Sequence, residues 1–389
     1  MQPLDEQFDL ETPNNLRFGR GTVSETGRYA ARLGDDALVV TDPGIEAAGL
    51  LDPVRDSLSD AGVSFEVFDG VQPDPVVSNA LDCARAAERI DADSIVGIGG
   101  GSSMDVAKTA SVLVTNDAPI EELFGRGNVP VAGQPTVLLP TTAGTGSEVS
   151  SAAVFFDDRP EGSGEKEALN DEALYADTAI VDPDLTMELP AAITAATGLD
   201  AFCHAMGAYM STDANTFADT LCVEAMSLIE ANLRDATYHG AAAPDAREKM
   251  ALAATMAMMG RVNGGKAAVH SIAYGVQAMY DVPHAEAIAM VLPEVVEYNL
   301  PAILDRLAAL GERLYDADGS RRERARTTVD GITALRDDLD LDRSLTDVGA
   351  TDGDMDELAD LATHSERHLS VNPRPLEADD AADILAAIW

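Results

Sequence analysis

Three histidines and one aspartate stand in apolar segments of the second half of the chain. Asp200 and His204 are four residues apart, so on a helix the carboxylate and the imidazole face the same side. His270 and His284 flank another apolar segment, and the chain has only 6 histidines. One carboxylate and three imidazoles suit a divalent ion such as Zn²⁺ or Fe²⁺, with a position left for a substrate oxygen. The alternative is that these are buried histidines that serve only packing.

Two loops with a different chemistry follow apolar segments in the first half. In Gly99–Lys108 (GGGSSMDVAK), glycines let the backbone approach a pyrophosphate, and the helix start favours its negative charge. Pro140–Glu148 (PTTAGTGSE) offers hydroxyls and flexible backbone for a diphosphate and a ribose. Two such loops, each after a strand, would line one crevice of a doubly wound sheet. The first loop matches neither the dinucleotide fingerprint nor the phosphate loop, so a tight strand–helix turn is its alternative, and an ordinary polar loop is the alternative for the second.

Asp42 closes an early strand and begins the turn Asp42-Pro43-Gly44. A carboxylate there can accept hydrogen bonds from a ribose 2′-hydroxyl and would repel a 2′-phosphate. The position therefore favours NAD over NADP, and an ordinary acidic turn residue is the alternative.

Other polar clusters have simpler interpretations. His364 and His368 are four residues apart, but the glutamate between them is misplaced for a zinc motif, so we interpret them as a solvated helix face. Thr351–Glu357 lacks the order of a calcium loop and is interpreted as a helix start. Cys203 is interpreted as a packing residue that points away from the ligand face.

The elements that would position these residues differ between the two halves of the chain. The first half alternates strands with helices such as 77–90, which predicts a parallel sheet with right-handed crossovers. From about Pro190 the sequence is rich in alanine, leucine and methionine, with helical periodicity. We predict an α/β dinucleotide-binding domain over residues 1–187, an all-helical domain over 188–389, and an active site in the cleft between them. The predicted strands are Ala37–Thr41, Ser64–Phe68, Ser94–Ile98 and Thr136–Pro140.

The formal charge of −42 comes from 68 acidic and 26 basic residues spread along the whole chain. Such a surface repels phosphate backbones and anionic lipid heads, which excludes nucleic-acid and membrane-surface partners. Only four of the basic residues are lysines: Lys108, Lys166, Lys249 and Lys266. Excess acid with little lysine predicts a halophilic protein, because self-repulsion is screened at molar salt, where the Debye length is about 3 Å.

The three cysteines, Cys83, Cys203 and Cys222, have no paired spacing and fit a reducing compartment. No segment approaches the roughly 18 apolar residues of a membrane helix, and the N-terminus has no signal pattern. We therefore expect a soluble, cytoplasmic protein.

With these motifs in this order, the chain resembles the iron-dependent (group III) alcohol dehydrogenase family over nearly its whole length. Gly99–Lys108 matches the GGGSxxDxAK signature and Pro140–Glu148 matches PTTAGTGSE. Asp200–His204 matches DAxxH, and His270 with His284 matches the H…PH pattern.

The resemblance implies an NAD-linked enzyme with one Fe²⁺ or Zn²⁺ ion, assembled as a homodimer or a larger homo-oligomer. It implies metal binding by Asp200, His204, His270 and His284. The cofactor contacts that it implies are Asp42, Asp74, Gly100, Gly101, Ser102, Asp105, Thr141, Thr142, Thr145 and Lys166.

The chain departs from the family pattern at four positions near the metal motifs. Tyr274 replaces a histidine often drawn as a proton relay, and Gly207 replaces a common glutamate. Proton transfer therefore runs through Tyr274, water or a cofactor ribose hydroxyl. Arg261 and Lys266 stand where lipophilic members carry large apolar residues. They suggest an anionic substrate, such as a hydroxy- or oxo-acid or a sulfonated or phosphonated aldehyde, with ion pairs to surface acid as the alternative.

The resemblance implies hydride transfer between nicotinamide and a short alcohol or carbonyl compound, with the metal as a Lewis acid. Two alternatives differ in class. One is a hydroxyacid–oxoacid transhydrogenase that keeps its cofactor bound. The other is a non-catalytic nucleotide-binding protein, against which the intact ligand set argues.

Overall fold

The computed structural model describes residues 7–163, 166–280, 282–351, 353–364 and 369–389. It divides into two compact units. One is Glu11–Leu189, and the other is Pro190–Trp389 together with the residues before Glu11. Phe8 stacks on Phe217 of the helical unit with ring centroids 6.3 Å apart.

The first unit contains two sheets, and their strands in chain order are Asn15–Phe18 (β1), Asp36–Val40 (β2), Ser64–Phe68 (β3), Ser94–Gly99 (β4), Gly125–Arg126 (β5), Thr136–Pro140 (β6), Ala152–Phe156 (β7), Lys166–Asn170 (β8) and Thr178–Val181 (β9). Six of them form a sheet in the order β1-β9-β6-β4-β2-β3, with every pair parallel. The prediction of a parallel α/β sheet is confirmed. The four predicted strands β2, β3, β4 and β6 have observed ends within one residue of those expected.

Six helices in this unit are Thr26–Ala30 (α1), Pro43–Ala47 (α2), Asp52–Asp60 (α3), Val77–Arg89 (α4), Gly101–Thr115 (α5) and Ile120–Leu123 (α6). Helices cover both faces of the large sheet, as a parallel sheet requires. Leu38 and Ile95 pack with α4 and α5, whereas their neighbours Val39 and Val96 pack with α3 on the other face. Burying each such side chain contributes roughly 1.5–3 kcal/mol, which fixes the register of the central strands.

A second, three-stranded sheet in the order β5-β8-β7 was not predicted from the sequence. Strand β7 pairs antiparallel with β8, and Phe156 lies opposite Lys166. The small sheet therefore places Lys166 at the start of a strand.

The strand order determines which loops are neighbours. Strands β2, β4 and β6 are adjacent and parallel, so their carboxyl ends lie along one edge of the sheet. Asp42, the glycines after β4 and the loop Pro140–Glu148 follow these ends directly. This edge is where open α/β sheets bind ligands.

The second unit is helical throughout its described residues, and its helices are Ala191–Met210 (α7), Thr216–His239 (α8), Pro244–Gly264 (α9), Val269–Tyr280 (α10), His284–Asn299 (α11), Leu304–Tyr315 (α12), Arg321–Asp338 (α13), Met355–Ala362 (α14) and Ala378–Ala386 (α15). The prediction of an all-helical second half is confirmed. A search of the described helices found none that is long and apolar enough to cross a membrane. Helix α7 packs against α8, α9 and α11, so residues along α7 are buried on several sides.

Candidate functional site

The two predicted nucleotide loops contact each other in the first unit. The Thr141 amide donates a hydrogen bond to the Gly99 carbonyl oxygen at 2.9 Å. A Cβ atom at Gly101 would lie 3.1 Å from Thr145, so only glycine allows this approach without displacement. Gly99 has a φ of +151°, a conformation that L side chains rarely adopt. The sequence pattern therefore brings Gly100, Gly101, Thr141, Thr142 and Thr145 together.

The N-terminus of α5 has the properties of an anion site. Its N-cap is Gly100, which provides no side-chain cap, so the first-turn amides at Gly101 and Ser102 have no cap acceptor from that residue. The buried Oγ1 of Thr142 has no hydrogen-bond partner among the described residues. A helix N-terminus beside an unsatisfied hydroxyl fits the diphosphate of a dinucleotide.

Asp42 is the N-cap of α2 and also contacts the α5 start. Its Oδ1 accepts hydrogen bonds from the amides of Gly44 (2.9 Å) and Ile45 (3.2 Å). Its Oδ2 accepts one from the Ser103 hydroxyl at 3.2 Å. The carboxylate is therefore held in place at the edge where β2 and β4 end.

Asp74 and Lys166, both expected to contact the cofactor, form an ion pair with each other. Lys166 Nζ lies 3.6 Å from Asp74 Oδ1, and 67% of the Asp74 side chain is exposed. An ion pair this exposed contributes little free energy, which leaves the lysine available to a ligand.

Asp105 and Lys108 connect α5 to the second loop. Asp105 accepts hydrogen bonds from the Ser147 hydroxyl at 2.6 Å and the Val154 amide at 3.0 Å. The fully buried Lys108 ammonium lies 3.1 Å from Asp105 and donates to three carbonyl oxygens of the segment 147–152. The structure thus uses both side chains to hold the second loop against the helix that starts the first.

We expect Lys108→Met to destabilise this unit strongly. Methionine fills a similar volume but leaves three carbonyls and Asp105 without the ammonium, a loss of about 3–5 kcal/mol in the free energy of unfolding. Denaturant unfolding measures the effect, and Lys249→Met on the exposed face of α9 is the matched control. Equal unfolding midpoints for both variants would show that the loop does not depend on the ammonium.

In the second unit, α7 carries the first two predicted metal ligands. Asp200 and His204 are 3% and 4% exposed, and His204 Nε2 lies 3.4 Å from Asp200 Oδ1. The spacing of four residues on a regular helix accounts for this proximity. Burial lowers the pKa of His204 to about 3, opposed by Asp200 and aided by the charges of Arg261, His284 and Lys266. The imidazole is therefore neutral, the form that binds metals.

Helices α10 and α11 bring the other two histidines to α7. Single ligand atoms of Asp200, His270 and His284 all lie within 4.8 Å of one another. The His204 ring stacks on His270, with centroids 5.2 Å apart and planes 9° from parallel. All four predicted ligands are therefore neighbours, although His204 lies outside the tightest group of three.

The residues fit a divalent metal ion. Asp200 Oδ1 and His204 Nδ1 are buried and have no hydrogen-bond partner in the described part of the chain. A buried polar atom without a hydrogen bond costs about 1–3 kcal/mol. A cation bound to the Asp200 carboxylate would remove this cost at Oδ1. One carboxylate with imidazoles is a donor set for Fe²⁺ or Zn²⁺.

Helix α10 presents two faces with different roles. Ser271 donates a hydrogen bond to the Ala362 carbonyl at 2.6 Å, and Gly275 approaches the α14 backbone closely. His270, Tyr274 and Gln277 follow helical spacing on another face. Helix α14 therefore holds the first face, and His270 on the second face lies in the ligand cluster. Tyr274 shares the second face by helical spacing and stays the predicted proton relay.

Arg261 and Lys266 lie on either side of the end of α9 and are both half-buried. After burial, the charges of both contribute to the lowered pKa of His204. At Gly207, one turn after His204, a Cβ atom would meet only the Ala267 amide, at 3.6 Å. A side chain at this buried position would therefore start in ordinary van der Waals contact with the backbone that follows Lys266.

The interpretation of Cys203 as a residue pointing away from the ligands was wrong. Its sulfur lies 3.9 Å from His270 Nδ1, because a spacing of three from Asp200 also places it on the ligand side of α7. Burial raises the pKa of this thiol, so the sulfur is uncharged. Gln277 was also missed; its Oε1 lies 3.4 Å from His284 Nδ1.

Asn372 ties the ligand-bearing segments together. It accepts a hydrogen bond from the Ala268 amide at 3.3 Å, and it exchanges hydrogen bonds of 2.9 and 3.1 Å with Asn299 at the end of α11. Of the histidine pair interpreted as a helix face, His364 follows the end of α14 and His368 lies outside the described residues. Helix α14 starts at Met355, as expected for the segment Thr351–Glu357.

Comparisons with known proteins agree with this geometry. A family model described as iron-containing alcohol dehydrogenase matches residues 13–183. The C-terminal model of the same family matches residues 194–389. Sulfoacetaldehyde reductase of Bilophila wadsworthia is 34% identical over 381 residues, 97% of each chain.

Two solved structures extend the comparison. A 1,3-propanediol oxidoreductase superposes with a TM-score of 0.94 at 33% identity, over 99% of this chain and 100% of that one. Sulfoacetaldehyde reductase of Bifidobacterium kashiwanohense, in complex with NAD⁺, superposes with a TM-score of 0.88 at 26% identity, over 98% and 99% of the two chains. The two family models together span almost the whole sequence. The chain therefore belongs to the iron-containing alcohol dehydrogenase family and is an oxidoreductase that interconverts alcohols and carbonyl compounds.

Proposed function

We propose that the enzyme reduces a short anionic aldehyde with NADH, or oxidises the corresponding alcohol, at an ion held by Asp200, His204, His270 and His284. The observation that carries the proposal is the convergence of Asp200, His270 and His284, whose ligand atoms lie within 4.8 Å of one another. A bound Fe²⁺ or Zn²⁺ ion would supply Lewis-acid polarisation of the carbonyl, and NADH would supply the hydride.

The first unit binds the nicotinamide cofactor through its two loops. The amides at the start of α5 and the Thr142 hydroxyl hold the diphosphate. Lys166 is a further cofactor contact, and the fixed carboxylate of Asp42 lies at the adenosine ribose, where it favours NAD over NADP because it repels a 2′-phosphate. The NAD⁺ complex of the related sulfoacetaldehyde reductase supports this choice.

Tyr274 is the chain's own candidate for proton transfer. It lies one helical turn after His270 on the same face of α10. A phenol hydroxyl can donate a proton to a substrate oxygen and regain it from solvent. In this assignment Tyr274 takes the place of the histidine that many family members carry.

The charge around the metal ligands supports an anionic substrate. After burial, the positive charges of Arg261 and Lys266 contribute to the lowered pKa of His204, and residue 207 is a glycine where a glutamate is common in the family. A relative at 34% identity is a sulfoacetaldehyde reductase, whose substrate carries a sulfonate. We assign Lys266 and Arg261 to the anionic group of the substrate, with a sulfonated or carboxylated short aldehyde as the class.

Lys266→Leu tests this assignment. We expect the kcat/KM for sulfoacetaldehyde to fall about 10- to 100-fold, the range for losing a hydrogen bond to a charged group. The kcat/KM for a neutral aldehyde of the same length should change little. Gly207→Glu, which places a carboxylate beside Lys266, should shift selectivity in the same direction. Initial rates of NADH oxidation with both aldehydes provide the measurement.

Lys249→Leu is the matched control, because Lys249 is an exposed lysine on α9. It should leave both activities unchanged. If Lys266→Leu lowered both activities equally, Lys266 would have a structural role and the anionic class would be wrong.

We further propose that the enzyme works as a homodimer or larger homo-oligomer in the cytoplasm of a cell that maintains molar salt. The charge of −42 supports the salt requirement. The three cysteines are buried free thiols, which fits a reducing compartment. The homodimer is the expectation from the family.

A further inference from the structure

Two of the proposed ligand histidines, His270 and His284, each have a polar side chain beside their Nδ1 atom. Cys203 Sγ lies 3.9 Å from Nδ1 of His270. Gln277 Oε1 lies 3.4 Å from Nδ1 of His284. A neutral imidazole carries a proton on one nitrogen and a lone pair on the other. When an acceptor engages the Nδ1 proton, the lone pair is on Nε2.

We propose that Cys203 and Gln277 are positioning residues that accept hydrogen bonds from Nδ1 of His270 and His284, so that Nε2 is the metal-binding atom of both rings. The inference rests on the proposed metal centre and adds to it the two groups that orient its ligands. Such partners change metal affinity by about 10- to 100-fold because they fix both the tautomer and the ring orientation.

The ring of His270 needs a partner that distinguishes its two edges. Its stacking on His204, with planes 9° from parallel, fixes the plane of the ring. A rotation of 180° about the bond to the ring keeps that plane but exchanges Nδ1 with a carbon atom. A polar neighbour at one edge of the ring makes one of these two orientations more favourable than the other. The fully buried Cys203 is such a neighbour.

The ring of His284 needs a partner for a different reason. His284 is the first residue of α11 and its side chain is exposed, and its ring lies at 44° to the His270 ring with centroids 5.8 Å apart. Ordering an exposed side chain costs conformational entropy at the moment of metal binding, and a hydrogen bond at Nδ1 that is already formed reduces this cost. Gln277 lies two helical turns after His270 on α10 and therefore links the second ligand ring to the helix that carries the first.

The test measures Zn²⁺ affinity of the full-length protein at high salt by competition with a chromogenic chelator. We expect Gln277→Leu and Cys203→Ala each to weaken Zn²⁺ binding by about 10- to 100-fold. Gln277→Glu and Cys203→Ser keep an acceptor and should restore most of the affinity. Nitrogen-15 spectra of the Zn²⁺-loaded protein should show protons on Nδ1 of both rings.

Two controls separate orientation from general damage. Tyr280→Phe removes a hydrogen bond to Asp354 from the same helix, and Cys222→Ser alters a buried thiol that packs against Gly260. Both should bind Zn²⁺ like the wild type. Far-ultraviolet circular dichroism and thermal melting check that the mutated helical unit is folded in each variant.

The possible failures are distinguishable. If the wild type bound no stoichiometric Zn²⁺ ion, the proposed metal centre itself would be wrong. If the wild type bound one ion and the leucine and alanine variants bound it as tightly, only the roles of Cys203 and Gln277 would be overturned. Coordination through Nδ1 in the nitrogen-15 spectra would overturn them as well.

Discussion

Asp200→Ala is expected to release the divalent ion and to lower aldehyde reduction about 1,000-fold or more. Polarisation of a carbonyl by a bound ion contributes several kcal/mol, and each 1.4 kcal/mol corresponds to about a tenfold rate. Affinity for NADH should persist, because the loops Gly99–Lys108 and Pro140–Glu148 belong entirely to the other unit. Metal content, NADH fluorescence titration and steady-state rates measure the three expectations.

Stability provides a check against misfolding. The metal-free protein buries the Asp200 carboxylate with one oxygen that has no hydrogen-bond partner among the described residues. Its removal relieves a desolvation cost, so metal-free Asp200→Ala should melt no lower than the metal-free wild type. Asp219→Ala on α8, which breaks an ion pair with Arg306, is the control that should keep its metal. Full turnover by a metal-free Asp200→Ala enzyme would refute the proposed centre.

The central strands could be predicted because both faces of a parallel sheet are buried. Ser94–Gly99 and Thr136–Pro140 have every residue buried, and their apolar runs end at glycine or proline. The loops that follow them carry motifs whose residue types match phosphate chemistry. These two loops lie close together because the parallel strands before them are adjacent. Local sequence patterns indicate such strands well.

The small sheet could not be predicted because two of its three strands give no local β signal. Lys166–Asn170 reads KEALN, four of whose residues favour helices, and it becomes a strand through pairing with Ala152–Phe156. Gly125–Arg126 is too short for any period. Asn15–Phe18, an edge strand of the six-stranded sheet, was also not predicted because it is mostly exposed. Each of these three segments is a strand because of its pairing with another strand.

The candidate site was partly visible in the sequence. Spacing of four residues placed Asp200 beside His204, but no local rule relates α7 to α10. The contact of Cys203 with His270 joins residues 67 positions apart, and the Asn372–Asn299 pair joins residues 73 apart. The spacing of seven residues from His270 to Gln277 was the only available signal for Gln277. Contacts that depend on helix packing needed the structure.

Transfer from molar salt to about 0.1 M salt is expected to inactivate and unfold the enzyme. The cause is repulsion between carboxylates that share helix faces, such as Asp52, Asp56 and Asp60 on α3, all exposed and four residues apart. Such neighbours lie about 5–6 Å apart on a helix. The Debye length is about 3 Å at 1 M salt and about 10 Å at 0.1 M, so only the higher salt screens them. Circular dichroism and activity across a NaCl series measure the transition.

A charge reversal on the same helix tests whether repulsion is the cause. Asp56→Lys converts two repulsive pairs on α3 into attractive ones, which should stabilise the fold by about 1 kcal/mol at low salt, at a few tenths per pair. The midpoint of the NaCl transition should therefore move to lower salt, and Asp56→Asn should move it about half as far. At molar salt all three proteins should be nearly equally stable because the charges are screened. A midpoint that stays fixed in both variants would exclude surface repulsion on this helix, and full activity of the wild type after dialysis into dilute buffer would exclude the salt requirement itself.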